Sequence, residues 1–75
     1  MNKEQFLINF TEQFDETDSS LIKLESKFRD LDEWSSMMAL IVIAMVDQEY
    51  NVKLTGDDIR TSETVSDLYD KISEK

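Results

Sequence analysis

The sequence contains no cysteine, no histidine and no proline, and it has only one glycine. Without cysteine the chain forms no disulfide and no thiolate metal site, which fits a reducing compartment. The absence of histidine as well removes the commonest catalytic bases, nucleophiles and transition-metal ligands. Because helix breakers are few, turns have to come from Asp, Asn, Ser and Thr. This composition favours helices and predicts no metal site.

Positive charge is also scarce, since 8 Lys and Arg residues stand against 17 Asp and Glu, for a net charge of −9. Such a field repels nucleic-acid phosphates and attracts partners with basic surfaces. The N-terminus shows no signal-peptide pattern, and the longest apolar run is far shorter than the roughly 20 residues of a membrane-spanning helix. We therefore expect a cytoplasmic protein that binds neither nucleic acid nor membrane. Its 75 residues predict a single domain over residues 1–75.

The apolar run from Met37 to Val46 directly follows a pair of serines. Ser35 suits the N-cap, because its hydroxyl can accept a hydrogen bond from a free backbone N–H in the first turn. Ser36 then takes the first helical position, where free N–H groups and the positive end of the helix dipole favour a phosphate. Since Asp47, Gln48 and Glu49 close the run, we predict a helix over residues 35–50.

This run is longer than one buried stripe requires, since a surface helix normally has a polar back. Four residues are expected to face the core: Val42, Ile43, Val46 and Tyr50. Four others are expected to face outward as a contact surface: Met37, Met38, Leu40 and Ile41. Methionine suits such a surface because it adapts to differently shaped partners. The alternative is that the preceding long loop covers these side chains.

Two further long helices are predicted from apolar residues at helical spacing. The first runs from Asn2 to about Phe14, with Asn2 and Gln5 as a capping box. The last is capped by Thr64, with Asp67 at the reciprocal position and an apolar face made of Val65, Leu68, Tyr69 and Ile72. A short helix begins at Thr55 or Gly56. Residues 15–33 form a long connection. Its apolar residues Leu21, Leu24, Phe28 and Leu31 are expected either to hold it to the core or to form a short helix of their own.

The segment Leu31-Asp32-Glu33-Trp34-Ser35-Ser36-Met37 resembles the attachment motif of the acyl carrier proteins. In that family an Asp-Ser-Leu sequence opens the second helix, and 4′-phosphopantetheine is esterified to the serine. Ser36 matches the modified serine, whereas Ser35 stands at the Asp position and Met37 at the Leu position. Trp34 is expected to close the loop against the bundle. The resemblance continues through residues 47–54, 56–59 and 64–65.

The resemblance implies an all-α fold, a small bundle of three long helices plus one short helix with a long first loop. It implies a monomeric, non-catalytic carrier whose Ser36 bears covalent 4′-phosphopantetheine, on which acyl or aminoacyl thioesters travel in fatty-acid, polyketide or related specialised biosynthesis. The implied partners are a phosphopantetheinyl transferase, an acyl or aminoacyl ligase or acyltransferase, and condensing enzymes. The residues expected to contact partners are Met37, Met38, Leu40, Ile41, Asp47 and Gln48.

Other functions stay open at this point. Ser36 could be a second capping hydroxyl without modification, in an acidic helical adaptor that binds a partner through the apolar face of helix 35–50. An enzyme is the weakest alternative, because a nucleophilic serine needs a base and the chain has no histidine.

Overall fold

A computed structural model describes residues 2–75 of the chain. The described residues form four α-helices, which are α1 (Lys3–Thr11), α2 (Ser36–Tyr50), α3 (Gly56–Arg60) and α4 (Val65–Ser73). No strand occurs in this range, and an isolated antiparallel bridge joins Lys27 to Thr64. The predicted all-α architecture, with three long helices and one short helix, is confirmed.

Side-chain caps set the beginnings of these helices. Asn2 accepts a hydrogen bond from the backbone N–H of Gln5 at 2.7 Å, but the Gln5 side chain donates to Asn9 and does not complete the predicted capping box. Thr55 caps α3 and Thr64 caps α4, each within a complete capping box. The short-range sequence signals therefore locate the starts of these helices correctly.

The core lies between α1, α2 and α4, and aromatic rings from α1 and the long loop fill much of it. Phe6 and Phe10 are fully buried, and their ring centroids are 6.0 Å apart. The helix α1 ends at Thr11, earlier than predicted, yet Phe14 in the following turn is still buried. The chain can therefore leave the helix while its last aromatic residue stays in the core.

The loop between α1 and α2 contains two short 3-10 turns, at Ser19–Leu21 and Phe28–Asp30. Phe28 is fully buried as expected, and its ring centroid is 6.0 Å from that of Phe10. Leu21, in contrast, is 65% exposed, and its neighbour Ile22 is buried in its place. The prediction for Leu21 was wrong because the tight turn that ends there directs the next residue to the core.

Backbone hydrogen bonds fasten this loop to the first turn of α4. The carbonyl of Ser26 accepts from the N–H of Val65 at 3.2 Å, and the carbonyl of Leu24 accepts from the N–H of Ser66 at 2.9 Å. These N–H groups have no partner within their own helix, because the first turn of any helix lacks the preceding carbonyls. These bonds fix the middle of the loop to the bundle, well before α2 begins at Ser36.

Candidate functional site

The amino end of α2 is organised by Ser35, which is the N-cap. Its backbone is extended (φ −157°, ψ 174°), and its side-chain oxygen accepts a hydrogen bond from the N–H of Met38 at 3.2 Å. The Ser35 carbonyl also accepts the first intrahelical bond, from Ala39 at 3.0 Å. The Ser35 hydroxyl is therefore occupied as a structural acceptor.

Ser36 is the first residue of α2 and is exposed. Its hydroxyl makes no hydrogen bond to any other residue of the range 2–75. No acidic residue lies in the first turn of this helix, so nothing on the helix itself offsets the positive end of its dipole. The Ser36 oxygen can be approached from solvent, and its surroundings on α2 suit an attached phosphate.

The approach to these serines is held in place by Trp34. The Trp34 ring meets Phe28 edge-on at 4.9 Å and lies nearly parallel to Phe14 at 6.3 Å, both distances being between ring centroids. Edge-on and offset aromatic pairs are favourable arrangements. As predicted, Trp34 packs the end of the loop against the bundle, and this fixes where α2 can begin.

Glu33 anchors the other side of the same approach. Its carboxylate accepts hydrogen bonds from the Thr17 hydroxyl at 2.7 Å and from the backbone N–H groups of Asp15 at 3.0 Å and Glu16 at 3.1 Å. These bonds, with the Thr17 hydroxyl first, hold the pKa of Glu33 below its usual value. Glu33 thus joins the start of the long loop to its end.

This arrangement can be compared with known proteins. A family model described as "Phosphopantetheine attachment site" matches residues 6–72. The chain belongs to that family. Members carry covalently attached 4′-phosphopantetheine and are generally non-catalytic carriers that interact with transferases and synthases. Comparisons with curated proteins and with solved structures gave no match.

The outward face of α2 in this family member differs in part from the prediction. Met37 is 69% exposed and Leu40 is 66% exposed, as expected, while Ile41 is half-buried. Met38 is only 6% exposed and belongs to the core. The prediction that Met38 faces outward was wrong, because the position one turn before Val42 points inward with it. The loop therefore leaves Met37 and Leu40 uncovered.

Four more residues of α2 were predicted either to face the core or to contact partners. Ile43 and Tyr50, expected in the core, are half-buried, and the Tyr50 hydroxyl accepts a hydrogen bond from the Asn9 amide at 2.7 Å. Asp47 is half-buried and pairs with Lys53 at 3.0 Å, whereas Gln48 is exposed. Both residues were predicted to contact partners. Gln48 is accessible for such a contact, whereas the Asp47 carboxylate is already paired within the chain.

Two features of this region were not anticipated from the sequence. Ala44 is exposed and extends the apolar edge of α2 beyond Ile41; its spacing of three residues from Ile41 was a signal that could have revealed it. The role of Glu33 had no comparable signal, since it depends on the chain returning to residues 15–17.

Within residues 2–75, no group of three or more acidic side chains is placed to hold a metal ion. None of the helices in the same range has the length and apolar character needed to cross a bilayer.

Proposed function

We propose that residues 1–75 form a single acyl carrier domain whose Ser36 receives 4′-phosphopantetheine. The observation that carries this proposal is the exposed hydroxyl of Ser36 at the first position of α2. The adjacent Ser35 hydroxyl is engaged in the cap at 3.2 Å, which favours Ser36 as the acceptor of the two.

The attachment step follows from what the chain has and lacks. The sequence has no histidine or cysteine, and in this proposal a separate transferase supplies the base that takes the Ser36 proton. The Ser36 oxygen attacks the β-phosphorus of coenzyme A, a new P–O bond forms, and adenosine 3′,5′-bisphosphate leaves as the diphosphate bridge breaks. The free backbone N–H groups at the start of α2 would stabilise the negative charge of a phosphodiester attached there.

In the attached state the prosthetic group supplies a thiol that carries acyl or aminoacyl groups as thioesters. The chain itself contributes a fixed point of attachment and a surface for partner enzymes, and in this proposal it is not an enzyme. The partners are a phosphopantetheinyl transferase, a loading ligase or acyltransferase, and condensing enzymes. The exposed apolar side chains of Met37 and Leu40 favour a dedicated fatty-acid, polyketide or related pathway. A cytoplasmic location and a monomeric state stay predictions.

The test is the intact mass of the purified protein after incubation with coenzyme A and a broad-specificity phosphopantetheinyl transferase. We expect a gain equal to one phosphopantetheine in the unaltered protein and in Ser35→Ala, and none in Ser36→Ala. Far-ultraviolet circular dichroism of each variant confirms that the helices are intact. A gain that persists in Ser36→Ala would place the modification elsewhere. No gain with several transferases would favour the unmodified acidic adaptor.

A further inference from the structure

A groove runs between α2 and the end of α1. It consists of two adjoining depressions, with volumes of about 290 and 330 Å³, and Gln13 and Ile41 line both of them. We call this the α1–α2 groove. The two depressions therefore adjoin at Gln13 on one side and at Ile41 on the other.

The α2 side of the groove is largely apolar. Met37, Ile41, Ala44 and Gln48 line it, and their spacing of four, three and four residues places them along one edge of the helix. Met37 is 69% exposed, and Ala44 is also exposed. Along this edge the apolar side chains of Met37, Ile41 and Ala44 form a row about two helical turns long.

The opposite side of the groove is acidic. Glu12, Asp15 and Glu16 line it from the end of α1 and the first turn of the loop, and Glu49 adds a carboxylate from α2. Of the lysines and arginines in the described residues, none lines either depression. The carboxylates of Glu12 and Glu16 are exposed and have no cationic partner within residues 2–75. The groove therefore combines an apolar wall with uncompensated negative charge.

The other edge of α2 lacks this combination. There the Asp47 carboxylate is paired with Lys53 at 3.0 Å, and Ile43 is half-buried against the core. A basic partner would gain less at that edge, since a lysine of the chain itself already occupies the carboxylate. Leu40, three residues before Ile43, is also exposed and lines neither depression, so the unpaired negative charge is what distinguishes the α1–α2 groove from the other edge.

We propose that the α1–α2 groove is the docking site for a partner segment whose apolar side chains are flanked by Lys or Arg. The inference rests on the proposed function, since the segment would belong to an enzyme acting on the group carried at Ser36. The apolar side chains pack against Met37, Ile41 and Ala44, while the cations meet Glu12 and Glu16. Electrostatic complementarity of this kind mainly steers association and selects the partner.

The probe is a synthetic helical peptide with leucine at every third or fourth position and lysines on both flanks. It is titrated into the ¹⁵N-labelled unmodified protein, and amide chemical shifts locate its binding site. We expect the largest shifts at Gln13, Met37, Ile41 and Ala44. A peptide with glutamate in place of each lysine should not bind. Shifts spread over α3 and α4 would overturn the proposal.

Matched variants separate the groove from general attraction to an acidic protein. The double variant Glu12→Gln/Glu16→Gln should weaken peptide binding about tenfold. The control Glu63→Gln/Glu74→Gln removes the same charge from exposed sites outside the groove and should change the affinity for the peptide less than about twofold. Met37→Ser should also weaken binding, while Ile8→Ser, at another exposed apolar residue, should not. Equal weakening by the variants of each pair would contradict docking in the groove.

The mass assay on the same proteins distinguishes this inference from the proposed function. If Ser36 is modified and the peptide shows no preference for the groove, the docking site is wrong and the carrier function stands. If the peptide binds in the groove and Ser36 accepts no phosphopantetheine from any transferase, the groove remains a binding surface and the carrier function is wrong.

Discussion

Met37 and Met38 are adjacent, chemically identical and oppositely placed, so they provide a matched test of how α2 is packed. Met38 is 6% exposed and packs in the core, whereas Met37 is 69% exposed. Truncating each to alanine removes the same atoms and leaves a strong helix former in the same turn. The two variants therefore differ almost only in what the lost side chain touched.

The expected magnitudes follow from burial. Truncation of a buried methionine costs about 2–5 kcal/mol, and Met38 lies near the edge of the core in the first turn of α2, so we expect about 2–3 kcal/mol. Met37→Ala should change the free energy of unfolding by less than about 0.5 kcal/mol. A 75-residue domain has roughly 4–11 kcal/mol in total. Met38→Ala would thus remove a substantial part of the stability.

The assay is urea unfolding followed by circular dichroism. With a slope of about 1 kcal/mol per molar urea for a small domain, Met38→Ala should lower the midpoint by about 2–3 M. Met38→Leu nearly conserves volume and should cost less than about 1.5 kcal/mol. Similar losses in Met37→Ala and Met38→Ala, or a loss below about 1 kcal/mol in Met38→Ala, would refute the inward placement of Met38.

Three further predictions concern the helix ends. Ser35→Ala should lower the free energy of unfolding by about 1 kcal/mol in urea titrations, because it removes the hydrogen bond that the Met38 N–H donates to the cap. Ser36→Ala should leave the free energy of unfolding nearly unchanged. Equal losses in the two variants would argue against a cap at Ser35. Asn51 ends α2 in the left-handed region (φ 56°). Asn51→Ala should therefore lower the free energy of unfolding by roughly 1 kcal/mol, and Asn51→Gly should lower it much less. A thermal melt in which glycine is the worse replacement would contradict this. The backbone N–H groups of Thr64 and then Glu63 lower the pKa of Asp67 from its usual 3.8. The contribution of Asp67 to the free energy of unfolding is therefore present above that pH and is lost as the pH falls through the lower, folded-state pKa. In Asp67→Asn the free energy of unfolding, measured from neutral to acidic pH, should lose part of its pH dependence, and an unchanged profile would exclude this group.

The sequence determined the features that depend on near neighbours along the chain. The spacing of apolar residues predicted the three long helices, and the hydroxyl residues Ser35, Thr55 and Thr64 marked where α2, α3 and α4 begin. A cap is made between residues two or three positions apart, so its pattern can be read without knowing the fold. The position of Ser36 at the head of α2 follows from the same local rule.

Only the tertiary structure decided which side of α2 is buried. The run from Met37 to Val46 contains no polar residue, so the spacing of its apolar residues does not indicate which of them face the core. Packing against α1 and the rest of the hydrophobic core turned Met38 inward. The exposure of Leu21, the bonds that Glu33 makes across the loop and the groove beside Ile41 likewise join residues distant in sequence. Contacts of this kind depend on how the helices pack against one another, because in a close-packed interior the side chains of neighbouring elements decide which faces can be buried.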